Sequence, residues 1–473
     1  MREVFIILKD YLVLINIIFA CVVIFLERKR PVFTLFWITI LLLTSYFGFI
    51  MYLFFGVSFK KRRALEKYYI KNRKGYSKKE NEMNLPSLKK WESLSKYLDS
   101  VLLGEMTHNN HFTFFNEPID FFVNLKLSLM EAERSIYMEY FIFDDDEVGK
   151  PIYDILLEKA KNGLEIKIIV DGAGTRGVGK ERREELSKAG IKFEIFFPSY
   201  FPFIKIGNLR ANYRDHRKTT VIDNKVCFSG GLNIGKDYIG KGRLGKWQDI
   251  GFKIRGEAVT DYLHEFERSW KFLQKDKNKI FEKPVLELKN YKATPIQIVS
   301  SGPNYEYHTI KDTFLSLILK AERCIYIQTP YFIPDEPILD ALKMALMSGV
   351  EVKINIPSVG DHAFVYWANQ NFYGELIEKG AQVYKYNEGF IHSKMVLVDG
   401  EIGFLGTANF DYRSMYQNFE MSILILGESL EVLEDRFKKD IKDSTQVSVE
   451  EFKNRKRIEK IKESISRLVA PLL

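Results

Sequence analysis

The sequence predicts an α/β protein of two pseudo-twofold related domains that share one active site on their seam, preceded by two membrane-spanning helices. Three observations carry this reading. His216, Lys218 and Asp223 return with the same spacing as His392, Lys394 and Asp399, and each set runs on to a glycine and an asparagine, Gly230-Gly-Leu-Asn233 and Gly406-Thr-Ala-Asn409. Ala132-Glu-Arg-Ser-Ile-Tyr137 returns as Ala321-Glu-Arg-Cys-Ile-Tyr326 at a different offset from the histidines, so the repeat is a whole domain with internal length differences. Val32 to Phe55 contains no charged residue, enough apolar chain to cross a bilayer.

Taken in order, the chain of 473 residues divides into five segments, with an anchor over 1–59. Its first span is the apolar run Tyr11 to Leu26, extended toward Val4 only across Lys9 and Asp10. A cleaved leader is disfavoured because no small-residue cleavage site follows Leu26 and a second span follows at once. Glu27-Arg-Lys-Arg-Pro31 then forms a tight hairpin. Residues 60–117 read as a basic juxtamembrane linker: Lys60 to Lys79 holds ten Lys or Arg and one acid, Glu66. Because positive residues are retained on the cytoplasmic side, the catalytic body is expected there, on the inner face of the cell membrane. The same cluster either attracts anionic lipid or only sets topology. The net charge of +8 is modest, and Cys21, Cys227 and Cys324 form no spaced set, which fits a reducing compartment without disulfides or thiolate zinc.

The two domains are expected over 118–295 and 296–440. In the first, Phe122 to Glu133 reads as helix, Ser135 to Phe143 as strand, Pro151 to Asn162 as helix and Leu164 to Val170 as strand. In the second, Ile310 to Glu322, Cys324 to Thr329, Glu336 to Ser348 and Val350 to Ile356 follow the same order. Strands alternating with helices of this length predict a sheet covered on both faces. Gly163 and Gly349 stop corresponding helices.

The residues around Lys218 and Lys394 are β-formers, so histidine and lysine, two apart, point to one face of a strand. The aspartates, five beyond the lysines, face the other way and read as structural buttresses within the motif. Two imidazoles and two ammonium groups with the amides of Asn233 and Asn409 offer many donors and few acceptors, which suits a phosphodiester. The ammonium groups disfavour a divalent metal, and no cofactor is expected. One imidazole can attack phosphorus while the other gives a proton to the leaving alkoxide and later takes one from the incoming hydroxyl. Each histidine then needs a carboxylate to fix its tautomer, and Asp249 and Glu420 stand at similar distances downstream.

The doubled motif resembles the phospholipase D superfamily, and within it the bacterial cardiolipin synthases. That resemblance rests on Asn212-Tyr-Arg-Asp-His-Arg-Lys218, Phe228-Ser-Gly-Gly-Leu-Asn-Ile-Gly235, Ser301-Gly-Pro-Asn304, Thr329-Pro-Tyr-Phe-Ile-Pro-Asp335, Asp361-His-Ala-Phe-Val-Tyr-Trp367 and Gly389-Phe-Ile-His-Ser-Lys394. It covers nearly the whole chain and implies phosphatidyl transfer between two phosphatidylglycerol molecules with release of glycerol, His216 attacking and His392 acting as acid and base. Ile250-Gly251 stand where Thr-His is expected, which puts a secondary contact in doubt. Phosphatidylglycerol and anionic membrane lipid are the partners implied; nucleic acid is not expected. A membrane-anchored phosphodiesterase that hydrolyses lipid, or a nuclease, would share the same histidines.

Tyr331, Phe332, Phe364, Tyr366, Trp367 and Tyr373 either wall an acyl-chain groove or belong to the core. Over 441–473, Ile458, Ile461, Ile465, Leu468 and Leu472 form an apolar stripe on a basic helix. The stripe either meets a membrane surface or packs on the catalytic body.

Overall fold

The computed structural model describes residues 2–26, 31–44, 47–48, 52, 89–102, 104–174, 177–197, 213–274 and 294–470. The chain forms two compact units, residues 1–72 with 199–213, and residues 73–198 with 214–473. In the first, helices Arg2–Leu26 and Pro31–Thr44 enclose Val23, Trp37 and Leu41, while Leu14, Ile17, Ile18, Leu35, Leu42 and Leu43 face outward. Among the described residues no helix is long and apolar enough to cross a membrane. The hairpin at 27–30, most of the second expected span beyond Thr44 and the Lys60 to Lys79 cluster lie outside the described residues.

The larger unit holds both halves of the repeat. The first sheet has the strand order Asn110–Phe115, Gly251–Gly256, Val226–Gly230, Lys218–Ile222, Ser135–Tyr140, Glu165–Asp171 and Lys192–Phe196. The second runs Ile296–Ser301, Glu420–Leu426, Ile402–Gly406, Met395–Val398, Cys324–Gln328, Glu351–Pro357 and Gln382–Tyr386, with Ser444–Gln446 added at the edge. The orders match strand for strand, and both sheets are mixed: the last three strands of each series are parallel and the rest antiparallel. Helices Pro118–Met130 and Gly149–Lys161 of the first half correspond to Thr309–Leu319 and Glu336–Met347 of the second. The expected stops hold: Gly163 and Gly349 each have φ 88°, the left-handed turn that an L side chain resists. Each half has its own apolar core, Leu125, Ile152 and Ile168 in one and Leu317, Leu342 and Ile354 in the other.

Two segment readings need correction. Residues 60–117 are not linker throughout, because Glu92–Val101 is a helix whose Leu94 and Leu98 are buried in the second core, and Asn110–Phe115 is an edge strand of the first sheet. The strand pairs antiparallel with Gly251–Gly256, which satisfies backbone groups that an unpaired segment beside the core would leave open. Nor is 441–473 one helix. Ser444–Gln446 pairs with Gln382–Tyr386, Phe452 of the short helix Val449–Lys453 is buried, and only Arg457–Val469 forms the amphipathic helix.

Candidate active site

The motifs enter their sheets at or just after the lysine: strands start at Lys218 and Met395, and the histidines stand just before them. What fixes each histidine is the other half. The His216 amide donates to the Phe419 carbonyl at 2.9 Å, and the His392 amide to the Gln248 carbonyl at 2.7 Å. Phe390–Ile391 pairs in parallel with Trp247–Gln248, and Asp215 bridges to Phe419. A histidine of one half is thereby held beside the strand that delivers the carboxylate of the other.

The carboxylates therefore cross. Glu420 of the second half lies 3.0 Å from Nδ1 of His216, and Asp249 of the first half lies 2.5 Å from Nδ1 of His392. All four groups are buried or nearly so. With Nδ1 engaged, Nε2 is left for chemistry, the tautomer logic of a histidine oriented by a carboxylate. Each lysine bends back to its own histidine: Lys218 Nζ donates to the His216 carbonyl at 2.7 Å, and Lys394 Nζ to the His392 carbonyl. Lys394 Nζ also comes within 2.8 Å of His392 Nδ1, so Asp249 and Lys394 contest that nitrogen.

The glycines of the two Gly-x-x-Asn stretches allow this approach. Gly230 has φ 134° and Gly406 φ 155°, and a Cβ would strike the backbone at Ile250 and at Ser422, on the chains that carry Asp249 and Glu420. Asn233 is already committed: its Oδ1 accepts from the Ile142 amide at 3.0 Å and its Nδ2 donates to the Tyr238 hydroxyl. Asn409 is also buried, and its Oδ1 has no hydrogen-bond partner among the described residues.

The motif aspartates, read as buttresses from their spacing, hold a turn. Asp223 accepts the backbone amides of Glu133, Arg134 and Ser135, and Asp399 those of Glu322, Arg323 and Cys324. These are the residues of the repeated Ala-Glu-Arg stretch, so the two sequence repeats are two sides of one contact. Both aspartates sit in the left-handed region, φ 53° and 57°, a conformation that Asp tolerates better than most residues.

Electrostatics follow from burial. Burial lowers Lys218 to about 7, opposed by Glu420 and reinforced by repulsion from Lys394. Burial lowers Lys394 to about 8 against the pull of Asp249 and Glu420. For His392, burial and then the Lys394 ammonium outweigh Asp249 and leave it at about 4. His216 is also lowered by burial, but Glu420 is the next largest influence and opposes it. Burial works against charge on Glu420, yet His216, Lys218 and the Thr407 hydroxyl more than offset it and hold the carboxyl below its ordinary range. Burial thus works against the cations of the site, and an anion between them would favour their charged forms.

The aromatics read as either groove wall or core divide between buried and exposed. Phe332 and Tyr373 are core residues, and Phe364 is exposed. Three of the rings beside the histidines escaped the sequence reading: Phe141 at 5.3 Å from His216, Trp247 at 4.9 Å and Tyr238 at 5.8 Å from His392. Trp247 had a signal in its place two residues before Asp249. Ser414 and Asn418, which donate to Glu420 at 2.9 and 3.2 Å, had none. Ile250 is buried, and its amide donates to Asp249 at 2.7 Å, so the departure from the expected Thr-His leaves the carboxylate supported.

Residues 125–270 and 314–441 match the model described as cardiolipin synthase, PLD-like domain, and residues 14–56 match that of the phospholipase D-nuclease N-terminal segment. A cardiolipin synthase of Clostridium perfringens (strain 13 / Type A) is 39% identical over 467 residues, covering 95% of this chain and 96% of the relative. One from Listeria innocua is 38% identical over 479 residues, covering 98% of both chains. A crystal structure of phosphatidylserine synthase from Haemophilus influenzae superposes with a TM-score of 0.60 over 81% of this chain and 99% of that one; at 14% identity the likeness is one of fold. Carrying both matched domains at that coverage, the chain belongs to the bacterial cardiolipin synthase family of the phospholipase D superfamily.

Proposed function

We propose that this protein is a cardiolipin synthase, a phosphatidyltransferase that joins two phosphatidylglycerol molecules and releases glycerol. The observation that carries the reading is the crossed pair of histidine–carboxylate contacts with a lysine beside each histidine, which surrounds one phosphodiester with donors from both halves. In the first step Nε2 of His216 attacks phosphorus, the bond to the glycerol oxygen breaks, and His392 gives that oxygen its proton. In the second, the primary hydroxyl of another phosphatidylglycerol gives its proton to His392 and attacks phosphorus, and the N–P bond breaks. Lys218 and Lys394 neutralise the charge that builds on the free phosphate oxygens in both steps. Asp249 and Glu420 orient the imidazoles, and Asp223 and Asp399 hold the motif turns. Asn409, whose buried Oδ1 has no hydrogen-bond partner among the described residues, is the better placed of the two asparagines to answer a substrate hydroxyl.

One observation favours the opposite order. Burial and the Lys394 ammonium hold His392 at about 4, which suits a nucleophile better than an acid. Trapping the phosphohistidine decides: with His216 attacking, His392→Ala still accumulates the intermediate and His216→Ala does not.

The amino-terminal residues 1–59 are assigned as a two-span anchor with the catalytic halves on the cytoplasmic face. Support comes from the outward-facing Leu14, Ile17, Leu35 and Leu42, and from the match of residues 14–56. Reporter fusions after residue 80 reading outside would overturn that orientation. Thin-layer and mass analysis of products from purified phosphatidylglycerol, without nucleotide or divalent metal, tests the reaction. Cardiolipin and glycerol should form, and excess glycerol should suppress them because the acid and base roles reverse between steps. Water at about 55 M competes for the intermediate, and a positioned lipid hydroxyl wins through effective molarities of about 10⁵ M or more. Phosphatidic acid as the dominant product would instead make the protein a hydrolase.

A further inference from the structure

The carboxyl-terminal helix Arg457–Val469 is packed the wrong way round for a helix that closes a core. Ile458, Ile461, Ile465 and Leu468 are 55, 53, 51 and 73% exposed, while Glu463 and Ser466 are 1 and 2% exposed. Among its described side chains the buried ones are polar, and Glu463 takes the Arg455 guanidinium at 2.7 Å. Two cations at the edges reach helix Ala363–Ile377, Lys462 over the Trp367 ring at 4.8 Å and Arg467 to Glu375 at 2.9 Å. The apolar stripe is therefore not the surface that attaches the helix to the body. Helical spacing puts Lys462 on one side of the stripe and Arg457, Lys460 and Arg467 on the other, and all four are exposed.

An apolar stripe flanked by exposed cations is the pattern of a helix lying in a lipid interface, with chains below and phosphates beside it. A second copy of the helix fits poorly, since facing stripes would bring these rows of like charge together. We propose that Arg457–Val469 docks on an anionic bilayer, with Ile458, Ile461, Ile465 and Leu468 inserted among the acyl chains and Arg457, Lys460 and Lys462 at head-group phosphates. This second attachment is separate from the amino-terminal anchor and holds the catalytic body down on the surface that supplies its substrate. The choice of phosphatidylglycerol as the anionic lipid rests on the proposed function; the attachment itself does not.

The test uses the full chain reconstituted in vesicles, with Ile461→Cys or Ile465→Cys carrying an environment-sensitive dye in a background where Cys21 and Cys324 are serine. Lipids brominated at a shallow acyl position should quench the dye about twofold or more strongly in vesicles of phosphatidylglycerol and phosphatidylcholine than in phosphatidylcholine alone. Aqueous iodide quenching that is strong and equal in both vesicles overturns the proposal, as does dye-to-dye energy transfer between copies without lipid quenching. A second variant, with Ile458, Ile461, Ile465 and Leu468 all changed to Gln, spares every buried contact. Its turnover of vesicle phosphatidylglycerol should fall about tenfold, while turnover of detergent-dispersed lipid stays unchanged. Equal loss on both, or loss on neither, refutes docking. Because the dye measurement does not depend on turnover, a wrong substrate and a wrong docking surface give different results.

Discussion

Between histidine and lysine the first half carries Arg217 and the second carries Ser393. Arg217 is buried among Asp215 at 2.9 Å, Glu139 at 3.1 Å and Glu265 at 3.9 Å. Ser393 is as deeply buried, but its hydroxyl only donates to the Gln248 carbonyl at 3.3 Å. The strand position that holds Glu139 in one half holds Gln328 in the other, which donates to Asp440, itself paired with Arg436 at 2.9 Å. The middle residue of the motif thus points away from the cleft into the layer behind the sheet, where each half has found its own polar solution. Histidine, lysine and the crossed carboxylate, by contrast, are common to both halves.

That contrast can be broken. His216→Ala and His392→Ala should each cost about 10²–10⁴-fold in turnover, read as cardiolipin formed, since a positioned acid or base is worth that much. If one of them kept near-normal activity, the cleft would not be two-sided. Behind the sheet the halves should differ. Arg217→Met strands buried carboxylates and should cost about 3–5 kcal/mol of stability, whereas Ser393→Ala loses one neutral hydrogen bond, about 1 kcal/mol. Denaturant melts in detergent measure both, and equal costs would erase the asymmetry.

A third prediction concerns pH. Lys218 at about 7 and Lys394 at about 8 lose their ammonium protons as pH rises, so kcat/KM should fall above pH 7 and more steeply above pH 8. A profile flat to pH 9 would mean that the charges are not used in the free enzyme.

The smallest effect belongs to the contact between Lys90 and Asp399. Asp399 adds Lys90 at 2.7 Å to its three backbone amides. Burial works against the charge of Asp399, but Lys90 and the amides outweigh it and hold the carboxyl below its ordinary range. Its stabilisation is therefore present above the ordinary carboxylate pKa and is lost as pH falls through the lowered folded value. Lys90→Met should cost about 1 kcal/mol or less, because the ammonium is partly solvated, and should reduce acid sensitivity. An acid-unfolding midpoint unchanged by this variant would remove Lys90 from the account.

Much of this was legible in the sequence, and what was hidden has physical reasons. The motif spacing identified the histidines and lysines, and similar downstream distances picked out Asp249 and Glu420. Chain distance does not say which half a carboxylate serves, so the crossing appears only when Phe390–Ile391 pairs with Trp247–Gln248. Asn110–Phe115 was missed because an edge strand with Asn, His and Thr among its phenylalanines shows no clean alternation. Periodicity found the stripe on Arg457–Val469, but a period identifies a face and not what lies against it.

Crossed carboxylates make the active centre a property of a pair. A single half released from the chain would carry a histidine and a lysine with no acid behind the imidazole, so it would work only by finding a second half in solution. Joining the halves replaces that search with a local concentration, on the order of millimolar for a short flexible tether, which dilution of the protein does not change. It also spreads damage. Misfolding near Asp249 disarms the histidine of the other half, and misfolding near Glu420 does the reverse, so neither half can drift while its twin preserves activity.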